Sequence, residues 1–307
     1  MMSEPILNRA EIVFLYEVKD NNPNGDPLDE NKPRIDEDTK INLVSDVRLK
    51  RTVRDYLQDF RKIPVFIKES RNEDGTLKTK ESRLEEEGID SAEKLLEKYL
   101  DMRLFGATLA IEKKTITFTG PVQFKIGRSL HKVKLMYMKG TTVMPSGKEK
   151  ERGTFTEQYI LPYSLIGFYG VVNENAAKYT GLTENDVDLL LDGLWNGTKN
   201  LISRSKVGQM PRLLMEIEYC EKNYHIGDLV SKMKLISDIA EEEIRDPSEY
   251  SIDISELINV LKINASKIKR VRLCVDGRLN FTANAKNVNI FEALKSEKIP
   301  IETILFE

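Results

Sequence analysis

Lysines and arginines crowd three places in this chain at spacings that suit the neutralisation of phosphate. From Gly120 to Arg152 the bases are Lys125, Arg128, Lys132, Lys134, Lys139, Lys148, Lys150 and Arg152, against Glu149 and Glu151 alone, a local charge of +6. Farther upstream, winding the sequence at roughly 100° per residue puts Lys50, Arg51, Arg54 and Arg61 in one sector with Val47 and Gln58. The opposite sector holds Leu49, Val53, Tyr56 and Phe60, so the cations read as an exposed stripe, flanked but not neutralised by Asp46 and Asp55. Such a stripe is either a solvated helix face or a row of contacts to a nucleic-acid backbone. The third element is SRSKVGQMPR at 203–212, and no acid occurs between Lys199 and Arg212. Ser203 and Ser205 can donate to phosphate oxygens and Gly208 lets backbone approach closely, yet GxxxxGK[ST] is missing, so this is no P-loop.

The remainder of the chain is not basic. Its 307 residues carry 47 Lys and Arg against 50 Asp and Glu, a formal net charge of −3, which excludes a uniformly cationic coat. The stretch from Glu221 to Val260 has a charge of −6, and this segregation suits a protein that holds a polyanion on one side. With 40% hydrophobic residues the chain can bury a core, and no apolar run approaches the roughly 18 residues of a membrane span. The start, MMSEPILNRAEIVF, lacks the layout of a signal peptide, so the cytoplasm is the expected compartment. Cys220, Cys274, His131 and His225 are too few for a disulfide framework or a Cys/His zinc cage.

The elements that must position these cations follow from periodicity. Residues 11–18 read as a strand ended by the turn cluster NNPNGDP, and 43–60 as a helix capped by Ser45 or Asn42. Residues 61–90 are charged and turn-forming, a poor core candidate, with a short helix at 91–102. Strands are expected at 115–119, 121–126, 159–172, 211–219 and 269–275, and helices at 183–195, 228–240, 253–263 and 287–297. Strands and helices mix without βαβ regularity. The expected class is α+β with an antiparallel sheet and two insertions, at 61–110 and 127–158, the second longer than ordinary hairpin connections.

In sequence order the chain resembles the backbone subunit of type I CRISPR surveillance complexes (Cascade), of the I-B and I-C branch of the RAMP superfamily. The resemblance rests on EIVFLYEVKDNNPNGDP, KPRIDEDTKINLVSDVRLKRTVRDYL, DMRLFGATL, GPVQFKIGRSLHKV, GTFTEQYILPYSLIGFYGVVN and SRSKVGQMPRLLMEIEY. It implies a single hand-shaped domain: an RRM-like (ferredoxin-like) palm, a helical finger insertion at 61–110 and a β-hairpin thumb at 127–158. The RNA contacts it implies are Arg34, Arg48, Lys50, Arg51, Arg54, Arg128, His131, Lys132, Lys134, Ser203, Arg204, Lys206 and Gln209, with Met138, Val143 and Met144 as thumb wedges. It further implies a guide RNA, the target DNA strand paired to it, further copies of the chain and other Cascade subunits as partners, with no cofactor and no metal. The guide would be held by its phosphates with its bases left readable. Because 131–158 is rich in glycine and charge, its order is expected to come from RNA and a neighbouring copy.

Two rival functions follow from the same residues. His131 in a basic hairpin could serve an RNA endonuclease as acid or base, and Asp20, Asp26, Asp29, Asp36 and Asp38 could hold Mg²⁺. The resembled branch lacks cleavage, and Asp and Asn in NNPNGDP have a sufficient role in turns. The other rival, a general single-stranded RNA-binding protein, differs in binding short oligomers as a monomer.

Overall fold

The computed structural model describes residues 4–111, 114–141 and 155–306. The strand Ala10–Asn21 lies in the middle of the main sheet, and its apolar composition has a direct cause. Ile12, Phe14 and Tyr16 belong to one core, Val13 and Leu15 to another, and all five are buried. A strand covered on both faces shows a continuous apolar run instead of alternation. Its neighbours are Phe155–Val172, in register from Ala10 against Val172 to Asn21 against Leu161, and Met210–Tyr219. The sheet runs Ile301–Thr303, Ile268–Val275, Met210–Tyr219, Ala10–Asn21, Phe155–Val172, Gly127–Lys132, Ile41–Val44. These pairs are antiparallel apart from Ile268–Val275 with Ile301–Thr303. The architecture is α+β with a central, mainly antiparallel sheet.

The first core lies between the sheet and the helices Asp46–Asp59 and Glu184–Lys199. Ser45 is the N-cap of the former, accepting from Arg48 N at 3.3 Å, while Asn42 sits in the edge strand. The two helices approach closely because one contributes glycine: a Cβ on Gly193 would stand 2.9 Å from Val53 Cγ1. The second core covers the opposite face with Leu229, Met233, Ile252, Leu257 and Leu261. Here the expected helix at 228–240 is corrected to a 3₁₀ turn, Leu229–Lys232, and a strand, Lys234–Ile236, which pairs with Ser251–Asp253. Asp228 at φ 37° follows Gly227 at φ 93°, so the chain enters the segment in a left-handed conformation, and cross-strand bonding then decides its form.

The segment 61–110 also departs from expectation. Phe66, Leu84, Ile89, Leu95, Tyr99, Met102 and Leu109 form a third, private core. Its helices are Lys80–Glu86, Ala92–Lys98 and Leu100–Phe105, and Gly106–Ile111 forms a hairpin with Lys114–Thr119. The apolar residues are sparse, so they read as surface until the turns bring them together. The excursion 127–158 divides in two. Gly127–Lys132 belongs to the main sheet, whereas Met136–Thr141 pairs with the first part of Phe155–Val172, from Thr141 against Phe155 to Met136 against Ile160. Residues 131–132, 136–141 and 155–158 are thus strand within this one chain, with 133–135 as the link between the two strands, and 142–154 lie outside the described residues. Among the described residues no helix is long and apolar enough to cross a membrane.

Candidate nucleic-acid interface

At the end of the central strand three asparagines of the NNPNGDP cluster tie separate segments together. Asn21 Nδ2 donates to Val207 O at 2.7 Å, and Asn22 Nδ2 to Asn31 O at 2.7 Å. Asn24 Oδ1 accepts from both the backbone N and the hydroxyl of Ser45 at 2.9 Å. The loop 201–209 and the start of the helix Asp46–Asp59 are thereby held beside one another. Their cap and turn bonds satisfy backbone groups that the helix end and the turn leave without a partner of their own.

This placement brings Lys206 beside Arg48. Lys206 Nζ donates to Asn22 O, and the loop turns on bonds from the Lys206 and Val207 nitrogens to Ser203 O, both 2.9 Å. Gly208 closes it at φ 84°, where a side chain would be strained. Burial, with the Arg48 guanidinium alongside, brings the Lys206 ammonium down to about 8. Burial likewise draws Arg48 below the ordinary guanidinium value. Among the described residues neither has a carboxylate within ion-pairing distance. Arg204 and Ser203 stand exposed on the same loop. Two half-buried cations without a counter-ion favour an incoming anion, since its arrival restores what burial costs them.

The stripe on the helix Asp46–Asp59 requires correction. Lys50 is 9% exposed, with Nζ 3.1 Å from both Asp46 Oδ2 and Gln123 Oε1. Arg54 Nε is 2.9 Å from Oδ2 of the fully buried Asp101, and Arg61 Nε is 2.6 Å from Asp192 Oδ2. Lys50 and Arg54 also lie over the Phe105 ring, at 5.5 and 5.0 Å from its centre. Only Arg51 of the four keeps a side chain more than half exposed, 3.5 Å from Asp55. Winding angles set direction but not what packs there, and the later segments supply acids to this face.

His131 and Gln209 are likewise buried in the chain by itself. Leu165 N donates to His131 Nε2 at 3.1 Å, so the proton of the neutral ring is on Nδ1, which faces Lys132 O at 2.8 Å and Glu241 O at 3.2 Å. Burial holds its pKa below the ordinary histidine value. Stability is therefore full above the unfolded value of about 6.5 and falls as pH drops through the window down to the depressed folded value. Urea unfolding at about pH 7.5 and about pH 5.5, a range above most carboxylate titration, is expected to give a lower midpoint at the acid pH. The gap should shrink in His131→Gln, and an unchanged gap would place the effect elsewhere.

The other expected contacts line the root of the basic hairpin. Arg34 and Lys134 face a cleft of about 830 Å³ between the 26–43 segment and residues 133–135. Arg128 is well exposed, 3.8 Å from Asp36, and Lys132 is exposed with its backbone N donating to Glu241 Oε2 at 2.7 Å. The acidic segment thus folds back on the root of the basic one, as Lys125 with Asp228 at 2.8 Å also shows, and does not face only outward. On the hairpin Tyr137 and Tyr159 pair across the strands at 5.1 Å, and Met138 is half exposed. Val143 and Met144 lie outside the described residues. Asp26 and Asp36 accept backbone N–H groups of Leu28, Asp38 and Thr39 in turns. No group of three or more His, Cys, Asp or Glu that could hold a metal occurs among the described residues. Arg212, at the end of the third basic element, is buried against Glu17 and Asp276.

The fold and this surface define an α+β protein with a covered sheet and a cation-bearing edge. The chain belongs to the Cas7 family, whose model, described as CRISPR-associated protein Cas7, matches residues 8–255. A protein of Haloferax volcanii described as CRISPR-associated protein Cas7 is 34% identical over 316 residues, spanning 93% of this chain and 92% of that protein. A chain of a solved CRISPR RNA-guided surveillance complex has the same fold, with a TM-score of 0.54 at 16% identity over 93% of this chain and 92% of its own. A second, from such a complex described as pre-nicking, gives 0.53 at 13% identity over 90% and 96%.

Proposed function

We propose that this protein binds CRISPR RNA as the repeating backbone subunit of a type I surveillance complex, of the I-B and I-C branch, in the cytoplasm. Copies would line up along the guide, beside other subunits, and hold its phosphates so that its bases pair with a target DNA strand. The observation that carries the reading is the Lys206 and Arg48 pair, half-buried and without a carboxylate partner among the described residues, on a chain of the Cas7 family. Arg34, Arg51, Arg128, Lys132, Lys134, Ser203 and Arg204 are the other surface groups assigned to the guide, with Met138, Val143 and Met144 as wedges.

The palm reading is supported by chain order. Ala10–Asn21, Asp46–Asp59, Gly127–Lys132, Phe155–Val172, Glu184–Lys199 and Met210–Tyr219 follow as βαββαβ, and the fourth strand lies beside the first, then the third, then the second. RRM modules stack bases on an open sheet face. Here both faces are covered, which supports a guide gripped at the sheet's end instead. In the proposal 61–110 is the finger and 127–158 the thumb. The role is one of binding rather than cleavage, and the enclosed His131 supports it over an endonuclease. Size-exclusion chromatography with a short and a long single-stranded RNA tests the assembly: mass per RNA should grow with RNA length. A one-to-one complex at both lengths would favour a general RNA-binding protein.

A further inference from the structure

A cleft of about 360 Å³ opens next to Lys206, between the central strand's end and the hairpin root, with Asn22, Asn31, Gln158, Tyr159, Ser203 and Arg204 among its walls. Asn22 is 2% exposed, and its polar atoms can be accounted for one by one. Its N–H donates to Asn21 Oδ1 at 3.0 Å, its carbonyl accepts from Lys206 Nζ, and its Nδ2 donates to Asn31 O at 2.7 Å. Among the described residues its Oδ1 has no partner. The bond to Asn31 O fixes which end of the amide is oxygen, because a flipped amide would set two acceptors against each other. A buried acceptor left without a donor is costly and unusual enough to need a cause.

Asn22 lines this cleft and has an acceptor left over beneath its wall, which narrows the chemistry of what would complete it. In the free chain water can supply the donor; of the groups on a bound guide, phosphate oxygens offer none. Base N–H groups are committed to pairing if the guide is to stay readable. The ribose 2′-hydroxyl remains, and it is the group by which a protein tells RNA from DNA. Resting on the reading that Lys206 and Arg48 hold guide phosphates, we infer that Asn22 Oδ1 accepts a hydrogen bond from a guide 2′-hydroxyl and makes this chain select RNA over DNA. Lys206 joins the two functions, since the ammonium proposed to meet phosphate is bonded to the carbonyl of Asn22.

Oligouridine and its 2′-fluoro counterpart, which keeps an RNA-like pucker but cannot donate, form the test. The unmodified protein is expected to bind the 2′-fluoro strand about fivefold more weakly, the loss of one hydrogen bond. In Asn22→Ala the two strands should bind alike. Equal binding of both strands by the unmodified protein, or an unchanged preference in the variant, would overturn the assignment, and the first of these needs no variant to fold. Absence of binding to either strand would instead overturn the phosphate-holding reading, and this inference with it.

Discussion

Replacing Arg204 and Lys206 together by Glu is expected to abolish RNA-dependent assembly while leaving the chain folded. Arg204 is exposed, with no ion-pair partner among the described residues, so it has little packing to lose. Lys206 has one bond to the Asn22 carbonyl to lose, and Lys206→Gln, which retains a donor without the charge, separates that bond from the electrostatics. Each phosphate contact on a single strand contributes about 0.7 to the slope of log affinity against log salt, so losing two should flatten it by about 1.4. The Glu pair adds repulsion from phosphate. Because burial and Arg48 bring Lys206 to about 8, raising the pH through that value should weaken RNA binding by the unmodified protein as the ammonium loses its proton. Lys206→Arg should resist that change. An unaltered salt slope in the double variant would remove this loop from the phosphate path.

The second large effect lies at Asp101, which is a structural residue. Its carboxylate is fully buried and accepts from Phe66 N at 2.7 Å, Ile67 N at 3.0 Å and Arg54 Nε at 2.9 Å. It thereby joins the 61–110 segment to the helix Asp46–Asp59. Asp101→Ala leaves a nearly enclosed guanidinium and two backbone N–H groups without an acceptor, a loss of about 3–5 kcal/mol. Thermal or urea unfolding should register it. Arg54→Ala should also lower stability, with little change in the salt slope of RNA binding. If Arg54→Ala flattened that slope and left stability alone, the ion pair would be secondary to RNA contact.

Local order was legible in the sequence. The run EIVFLYEV makes a strand, the spacing of Leu49, Val53 and Tyr56 makes the buried side of a helix, and Ser45 and Thr183 cap the helices they precede. These signals depend on neighbours a few residues away, so periodicity and cap chemistry suffice. The acid-free run around Lys206 was equally visible, since the absence of Asp and Glu from 199–212 is itself a sequence property, although Arg212 at its end finds Glu17 and Asp276 in the fold.

What the sequence did not determine was the company each side chain keeps across long separations. Arg54 meets an acid 47 positions away and Arg61 one 131 positions away, which turns a stripe of apparently free cations into supports for the fold. His131 lies in a basic run but is enclosed by Leu165 and Glu241. The scattered apolar residues of 64–109 become a core only once three helices and a hairpin place them together. Asn22 read as a turn residue, and only the fold shows its one unused oxygen. Winding and alternation fix the direction in which a side chain leaves its own element. Burial and ion pairing depend on what the rest of the chain brings to that direction, and the tertiary structure alone decides that.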